Sequence, residues 1–275
     1  MKKINVVIPT YNRKNSVIRV LALLKRQVTE AVDLSLTVVI DGSTDGTLES
    51  VRTRFPDVTV IEGDGNWGWA RCVNEGCKLA VKNRDDAVLL LNDHVRFHRN
   101  YLETLLKAVE KEPGAIIGSL SVSEEKQERI TFSGVKKFRW WTGKRQPYHP
   151  FLTPYRKNLT GLHETIVLPG CGVMIPTEMF RKIGYFNETV RHRYKADYPF
   201  ILRANKNNCK TLISWDAVIS GDVKDKIPGS GLYRSYLCCK RFYPLWALPL
   251  LPLTVLILLF RELTLVIKGK KSESE

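Results

Sequence analysis

Val6-Val7-Ile8-Pro9-Thr10-Tyr11-Asn12-Arg13 and Val38-Val39-Ile40-Asp41-Gly42-Ser43-Thr44-Asp45-Gly46-Thr47 decide the reading of this chain. Each is an apolar run that stops abruptly in small polar residues. An apolar run without polar alternation marks a strand covered on both faces, as in a parallel sheet. Open α/β sheets bind ligands where such strands end. Both stretches therefore deliver polar groups to one edge of a sheet, at a binding crevice.

Working outward, the first hundred residues alternate strand-like and helix-like segments. Strands are expected at Ile4–Ile8, Leu36–Ile40, Val58–Ile61 and Ala87–Leu91. Asn15 is placed to cap a helix whose apolar face is Val17, Val20, Leu21 and Leu24. Asp45 is placed to cap a helix running through Val51. Trp69–Val81 reads as a helix that Gly76 weakens. Asn100–Lys111 reads as another, ended by Pro113-Gly114. Alternating β and α units imply right-handed crossovers and a mainly parallel sheet. Ala115–Leu120 is a further strand.

The 275 residues suffice for one large α/β domain with additions, or two small ones. The formal net charge of +15 implies an anionic partner: nucleic acid, a lipid headgroup surface or a phosphorylated substrate. Residues 136–157 hold seven Lys or Arg and no acid, with Trp140, Trp141, Tyr148, Phe151 and Tyr155 among them. They read as a basic aromatic loop over a substrate or as a solvated surface loop. No nucleic-acid-binding module surrounds them, and no nucleic-acid partner is expected. Cysteines at 72, 77, 171, 209, 238 and 239 form no C-x-x-C pair or zinc pattern and read as reduced thiols of a cytosolic protein. The N-terminal apolar stretch ends at Pro9, too early for a signal peptide.

Phe242–Phe260 is nineteen residues without a charge. Pro244, Pro249 and Pro252 interrupt it, and basic residues flank both ends: Lys240 and Arg241 before, Lys268, Lys270 and Lys271 after. Positive charge on both sides disfavours a single crossing, so an in-plane or re-entrant anchor is expected, with a buried core helix as the alternative.

Four places carry candidate chemistry. Asp41, directly after its strand, can accept hydrogen bonds from a nucleobase or ribose; Asp-Gly is equally a common turn pair. Gly63-Asp64-Gly65-Asn66-Trp67-Gly68-Trp69-Ala70 allows close backbone approach, and the helix after it favours phosphate. Asn92-Asp93-His94 ends a buried strand in three potential ligands for a divalent ion whose shell phosphates and water complete. His94 makes such a site better suited to manganese than to magnesium; the alternative is a polar turn. Asp197 can act as a general base or serve as the N-cap of the helix after it, and the two roles are compatible.

The order of these motifs, followed by Gly170-Cys171-Gly172-Val173-Met174, Gly184-Tyr185-Phe186-Asn187-Glu188 and Ala196-Asp197, resembles family-2 glycosyltransferases, most of all inverting bacterial enzymes of the rhamnosyltransferase-like kind. The resemblance covers about residues 4–240. It implies a GT-A (Rossmann-like) α/β fold, a mixed, mainly parallel sheet flanked by helices. Residues 1–235 would form that domain, with a nucleotide-binding half (1–114) and an acceptor-binding half (115–235). Residues 236–275 would be a hydrophobic, membrane-associating helical segment with a basic tail. Pro9, Thr10, Tyr11 and Arg13 match the first nucleotide-contacting loop. Asp41 matches the acid that contacts the base, with Ser43 in the same loop, and Asn66, Gly68 and Asn74 match the region near the diphosphate. Asn92, Asp93 and His94 match the metal motif, with Asp93 and His94 as ligands of manganese or magnesium, and Asp197 matches the catalytic base. His94 stands where the family usually has Asp, and Ala196 where it often has an acid.

The implied reaction is sugar transfer with inversion from a UDP- or dTDP-linked donor to a hydroxyl of a lipid-linked or other saccharide acceptor in cell-surface polysaccharide synthesis. Arg71 or Arg203 would help to offset the diphosphate charge. The membrane surface would be met by 242–267, at the cytoplasmic face of the inner membrane. Two alternatives stay open: a polyprenyl-phosphate sugar synthase, and a catalytically degenerate, membrane-attached nucleotide-sugar-binding protein.

Overall fold

A computed structural model describes residues 2–27, 32–123, 128–139, 144–189 and 196–221. Trp140, Trp141, Cys238, Cys239 and the apolar segment 242–260 lie outside the described residues.

The first half builds β1 (Lys2–Thr10), α1 (Lys14–Lys25), β2 (Val32–Asp41), α2 (Thr47–Arg54), β3 (Thr59–Gly63), α3 (Gly68–Lys82), β4 (Ala87–Leu90), β5 (Arg96–Phe97) and α4 (Tyr101–Lys111). The remainder adds β6 (Ile116–Ser123), β7 (Arg129–Phe132), β8 (Val135–Arg139), β9 (Lys144–Pro147), β10 (Leu162–Glu164), β11 (Val173–Pro176), α5 (Thr177–Ile183), α6 (Asp197–Lys206) and β12 (Thr211–Ser220). The main sheet runs β10-β12-β6-β11-β4-β1-β2-β3, with β5 on β12 and β7 on β6. The pairs β1–β2, β1–β4, β2–β3 and β6–β12 are parallel, while β11 lies antiparallel between β4 and β6. Strands from both halves thus share one continuous sheet, and it is mixed and mainly parallel, as the alternating pattern implies.

The apolar runs are buried because helices cover both sheet faces. Ile4, Val6 and Ile8 pack with Val17, Val20 and Leu21 of α1 in one cluster. Val7, Val39, Val88 and Leu90 face the opposite way, onto Val73, Cys77 and Ala80 of α3 and Phe180 of α5. This is the alternation of a strand between two layers, with both sets of side chains apolar.

Three local expectations are corrected. Asn15 does not cap α1; the helix starts two residues earlier than such a cap would place it, at Lys14 with Arg13 as its N-cap, and the Lys14 amide donates to Asp45 Oδ2 at 3.0 Å. Asp45 also accepts from the Thr47 amide at 3.1 Å, so one carboxylate satisfies amides at the start of both α1 and α2. Asp197 is the first residue of α6 rather than its N-cap, which is Ala196. Part of the 136–157 stretch is not loop but the strand pair β8–β9, antiparallel and separate from the main sheet.

Gly76 is explained by packing. A Cβ there would stand 2.4 Å from Val7 Cγ1, so α3 lies on β1 at a distance only glycine permits. Alanine is the better helix former by about 1 kcal/mol. The Gly76→Ala variant is nonetheless expected to be less stable by about 1–3 kcal/mol, because the interface is overpacked. Urea midpoints read the effect. The same substitution in a Val7→Ala background is expected to cost clearly less, and equal costs in the two backgrounds would refute the contact as the cause.

Candidate active site

Three parallel strands end side by side at one edge of the sheet, and each end is built differently. After β1 the chain turns through Asn12, which takes a left-handed φ of 48°. The Asn12 amide donates to Ser43 Oγ at 3.0 Å, and the Thr44 amide donates to Asn12 Oδ1 at 2.8 Å. This exchange ties the β1 loop to the β2 loop, and Ser43 serves as that clip without lining the cavity.

After β2, Asp41 is buried and its carboxylate faces the glycine-rich loop that follows β3. Oδ1 accepts from the Gly65 amide at 2.8 Å and the Trp67 amide at 3.2 Å, and Oδ2 accepts from the Gly68 amide at 2.9 Å. The glycines make this possible. A Cβ on Gly42 would lie 2.5 Å from Gly65 Cα, and one on Gly63 would lie 2.7 Å from Asp41 Oδ1. A carboxylate that accepts three backbone N–H bonds shapes the loop that carries Asn66, Trp67 and Gly68. Much of its acceptor capacity is taken before any ligand arrives.

After β4 come Asn92, Asp93 and His94. Asp93 is buried; Thr10 Oγ1 donates to its Oδ2 at 2.8 Å, its Oδ1 lies 2.9 Å from His94 Nδ1, and the Arg13 guanidinium stands 3.8 Å away. With Nδ1 carrying the proton toward Asp93, Nε2 of His94 is the nitrogen left for a ligand. Asn92 accepts from the Trp69 indole N–H at 3.4 Å, and its own amide donates to Cys171 Sγ at 3.3 Å. Burial pushes the thiols of Cys171 and Cys72 up to about 12, so both stay protonated at neutral pH.

The other wall comes from the second half of the chain. Gly170 packs against Trp69, whose ring leaves no room for a Cβ. The Gly170 amide donates to Asp197 Oδ2 at 3.2 Å, and Oδ1 accepts from the Tyr198 amide at 2.9 Å. Asp197 is the first residue of α6.

These walls enclose a cavity of about 730 Å³. Of the residues singled out from sequence, Pro9, Thr10, Tyr11, Arg13, Asp41, Asn66, Gly68, Asn92, Asp93, His94 and Asp197 all line it. Ser43 and Asn74 do not line it. Asn74 is buried in α3, with both amide hydrogens and its carbonyl engaged by residues 186 and 188. Arg203 is likewise elsewhere: its guanidinium donates to the Tyr185 carbonyl and lies over the Phe200 ring, and burial lowers its pKa. Arg71 does line the cavity, 4.6 Å over the ring of Trp67. Trp67 and Glu188 are wall residues that motif reading did not single out. An aromatic inside a glycine loop was the available signal for the first. For Glu188 the Gly184-Tyr185-Phe186-Asn187-Glu188 motif marked the stretch but not the role, because its place depends on a partner 114 residues away in sequence.

A model of glycosyl transferase family 2 matches residues 5–184, which include the ends of β1, β2 and β4 and Asn92-Asp93-His94. The chain belongs to glycosyl transferase family 2. Among curated family relatives, the validoxylamine A glucosyltransferases of Streptomyces hygroscopicus subsp. jinggangensis and of subsp. limoneus are each 40% identical over 80 residues. That match covers 28% of this chain and 19% and 18% of theirs, so the chain aligns with only about a fifth of those proteins. Two solved structures have a similar fold. GalNAc-T7, crystallised with UDP, GalNAc and Mn2+, superposes with a TM-score of 0.65 at 16% identity, covering 80% of this chain and 44% of that one. TarS of S. aureus gives 0.60 at 17% identity, covering 87% and 39%. The family-2 domain here therefore has a GT-A-like fold, in less than half the length of either structure.

A divalent metal finds few protein ligands among the described residues of this family-2 cavity. Among the described residues no group of three or more His, Cys, Asp or Glu gathers to hold an ion. His94 Nε2, oriented from behind by Asp93, is one ready ligand, as in sites where a carboxylate fixes the imidazole tautomer. A diphosphate would have to supply the rest. Among the described residues no helix is long and apolar enough to cross a membrane.

Proposed function

We propose that the chain is an inverting glycosyltransferase that moves a sugar from a UDP- or dTDP-linked donor to an acceptor hydroxyl. The observation that carries this reading is the single cavity in which the ends of β1, β2 and β4 meet Asp197. The nucleotide is assigned to the side formed by Pro9, Thr10, Tyr11, Arg13 and Asp41, in the half 1–114. The diphosphate is assigned to the space between Arg71, the start of α3 and His94, where a cation and helix-terminal amides favour negative charge. A divalent ion held by His94, with Asp93 behind it, would supply further charge neutralisation to the leaving diphosphate. Manganese is favoured by the imidazole ligand and is the ion in the GalNAc-T7 structure.

Asp197 takes the proton from the acceptor hydroxyl as that oxygen attacks the anomeric carbon. One displacement inverts the configuration, and Arg71 and the α3 amides stabilise the charge that develops on the departing diphosphate. The acceptor enters from the half 115–235. A lipid-linked saccharide at the cytoplasmic face of the membrane is the acceptor that segment 242–267 and the charge of +15 support. The rhamnosyltransferase-like character belongs to this proposal through the motif order alone.

A thermal-shift panel of UDP- and dTDP-sugars, with and without manganese, tests the reading. A ligand present at 100 times its Kd adds about 2.7 kcal/mol to stability, so at least one nucleotide sugar is expected to raise the Tm by several degrees. Manganese should enlarge the shift, and His94→Ala should remove the manganese-dependent part alone. No shift with any nucleotide would refute the assignment.

A further inference from the structure

Glu188 stands on the cavity wall although the motif order assigns it nothing. Its position is set by a clasp. Asn74, 1% exposed within α3, donates through Nδ2 to the Phe186 carbonyl at 2.9 Å and accepts the Phe186 amide on Oδ1 at 2.9 Å. Its second amide hydrogen reaches Glu188 Oε1 at 2.7 Å. Phe186 is wedged between Trp69, edge-on at 5.4 Å, and Phe200, stacked at 4.3 Å. The loop is therefore anchored in the core two residues before Glu188.

Two of the three Asn74 bonds already close the loop on the Phe186 peptide. The third fixes only a side chain that is itself exposed. Among the described residues Glu188 is held through Oε1, which leaves Oε2 to accept further hydrogen bonds, and the residue lines the cavity. A carboxylate there repels phosphate and suits neutral donors. In a cavity that Glu188 shares with Asp197, the donors that fit a carboxylate are the hydroxyls of a sugar ring. Charge-assisted bonds to a carboxylate discriminate among hydroxyls more sharply than neutral ones do.

We propose that Glu188 is a specificity-determining residue that accepts hydrogen bonds from ring hydroxyls of the donor sugar, and that Asn74 is its positioning residue. This rests on the nucleotide-sugar reading of the cavity.

Calorimetric titration of the full chain separates the two ideas. The probes are UDP, dTDP, UDP-glucose, UDP-galactose, UDP-N-acetylglucosamine, dTDP-glucose and dTDP-rhamnose. For the best-bound sugar nucleotide, Glu188→Ala is expected to raise the ratio of its Kd to that of its parent nucleotide about ten- to a hundred-fold. Binding of the parent nucleotide should change less than twofold, and Glu188→Gln should lie in between. Asn74→Ala should raise the same ratio; a lower Tm with the ratio unchanged would reduce Asn74 to a structural clasp and overturn its positioning role. An unchanged ratio in Glu188→Ala, or an equal loss for parent and sugar nucleotide, overturns the proposal for Glu188 while the donor site stands. If the wild-type chain binds none of the probes, the donor site falls and this inference with it.

Discussion

Asp197→Asn is expected to lower turnover by about 10²- to 10⁴-fold, the range that a positioned general base contributes. That corresponds to about 3–5 kcal/mol of lost transition-state stabilisation. The substitution keeps the size of the side chain, and its remaining oxygen can still accept from the Gly170 or Tyr198 amide that the carboxylate engages now. Its NH2 group must face the other amide, so stability should fall by about 1 kcal/mol, while nucleotide-sugar affinity should change little. The loss falls on kcat because an amide cannot take a proton from the acceptor hydroxyl. Ala196 supplies no carboxylate beside it to take over. Initial rates over a range of donor concentrations, with binding measured separately, check the expectation. Full turnover by the variant would remove Asp197 as the base, whereas donor binding without turnover in the wild type would favour a binding protein.

Asp41→Ala should have the largest effect on architecture. Three backbone amides, those of Gly65, Trp67 and Gly68, would lose a charged acceptor in a part-buried place. Bonds to charged groups contribute about 1.5–3 kcal/mol each, and they are not additive, so a loss of about 2–4 kcal/mol is expected. For a chain of this size that lowers the Tm by about 5–10 °C. Nucleotide affinity should fall with it, because the same loop carries Asn66, Trp67 and the start of α3. Asp41→Asn should be intermediate: its oxygen can still accept, but its NH2 group must face one of the amides. Scanning calorimetry and nucleotide titration on both variants test this. An Asp41→Ala protein with wild-type melting but no nucleotide binding would show that the carboxylate serves the ligand and not the loop.

Much of the architecture was readable in the chain itself. The runs Val6–Ile8, Val38–Ile40 and Ala87–Leu90 are apolar at every position because helices cover both faces of their sheet. Polar residues at the ends of such strands must gather at one edge, and eleven of the thirteen residues assigned to the site do line one cavity there. Helix starts were less legible. The α1 amide is satisfied by Asp45, 31 residues away, so neighbouring residues did not reveal the cap.

Sequence alone determined the layer order, the edge at which polar groups collect, and the residue types available for proton transfer and phosphate binding, because these follow from local periodicity and side-chain chemistry. The tertiary structure decided what each group does there. It turned Asp41 toward backbone amides, made Ser43 a clip between loops and sent Arg203 away from the cavity. It also set Glu188 on the wall through Asn74. The reason is physical: a hydrogen bond depends on distances of about 3 Å between groups that the chain separates by tens of residues, and only packing brings them within reach.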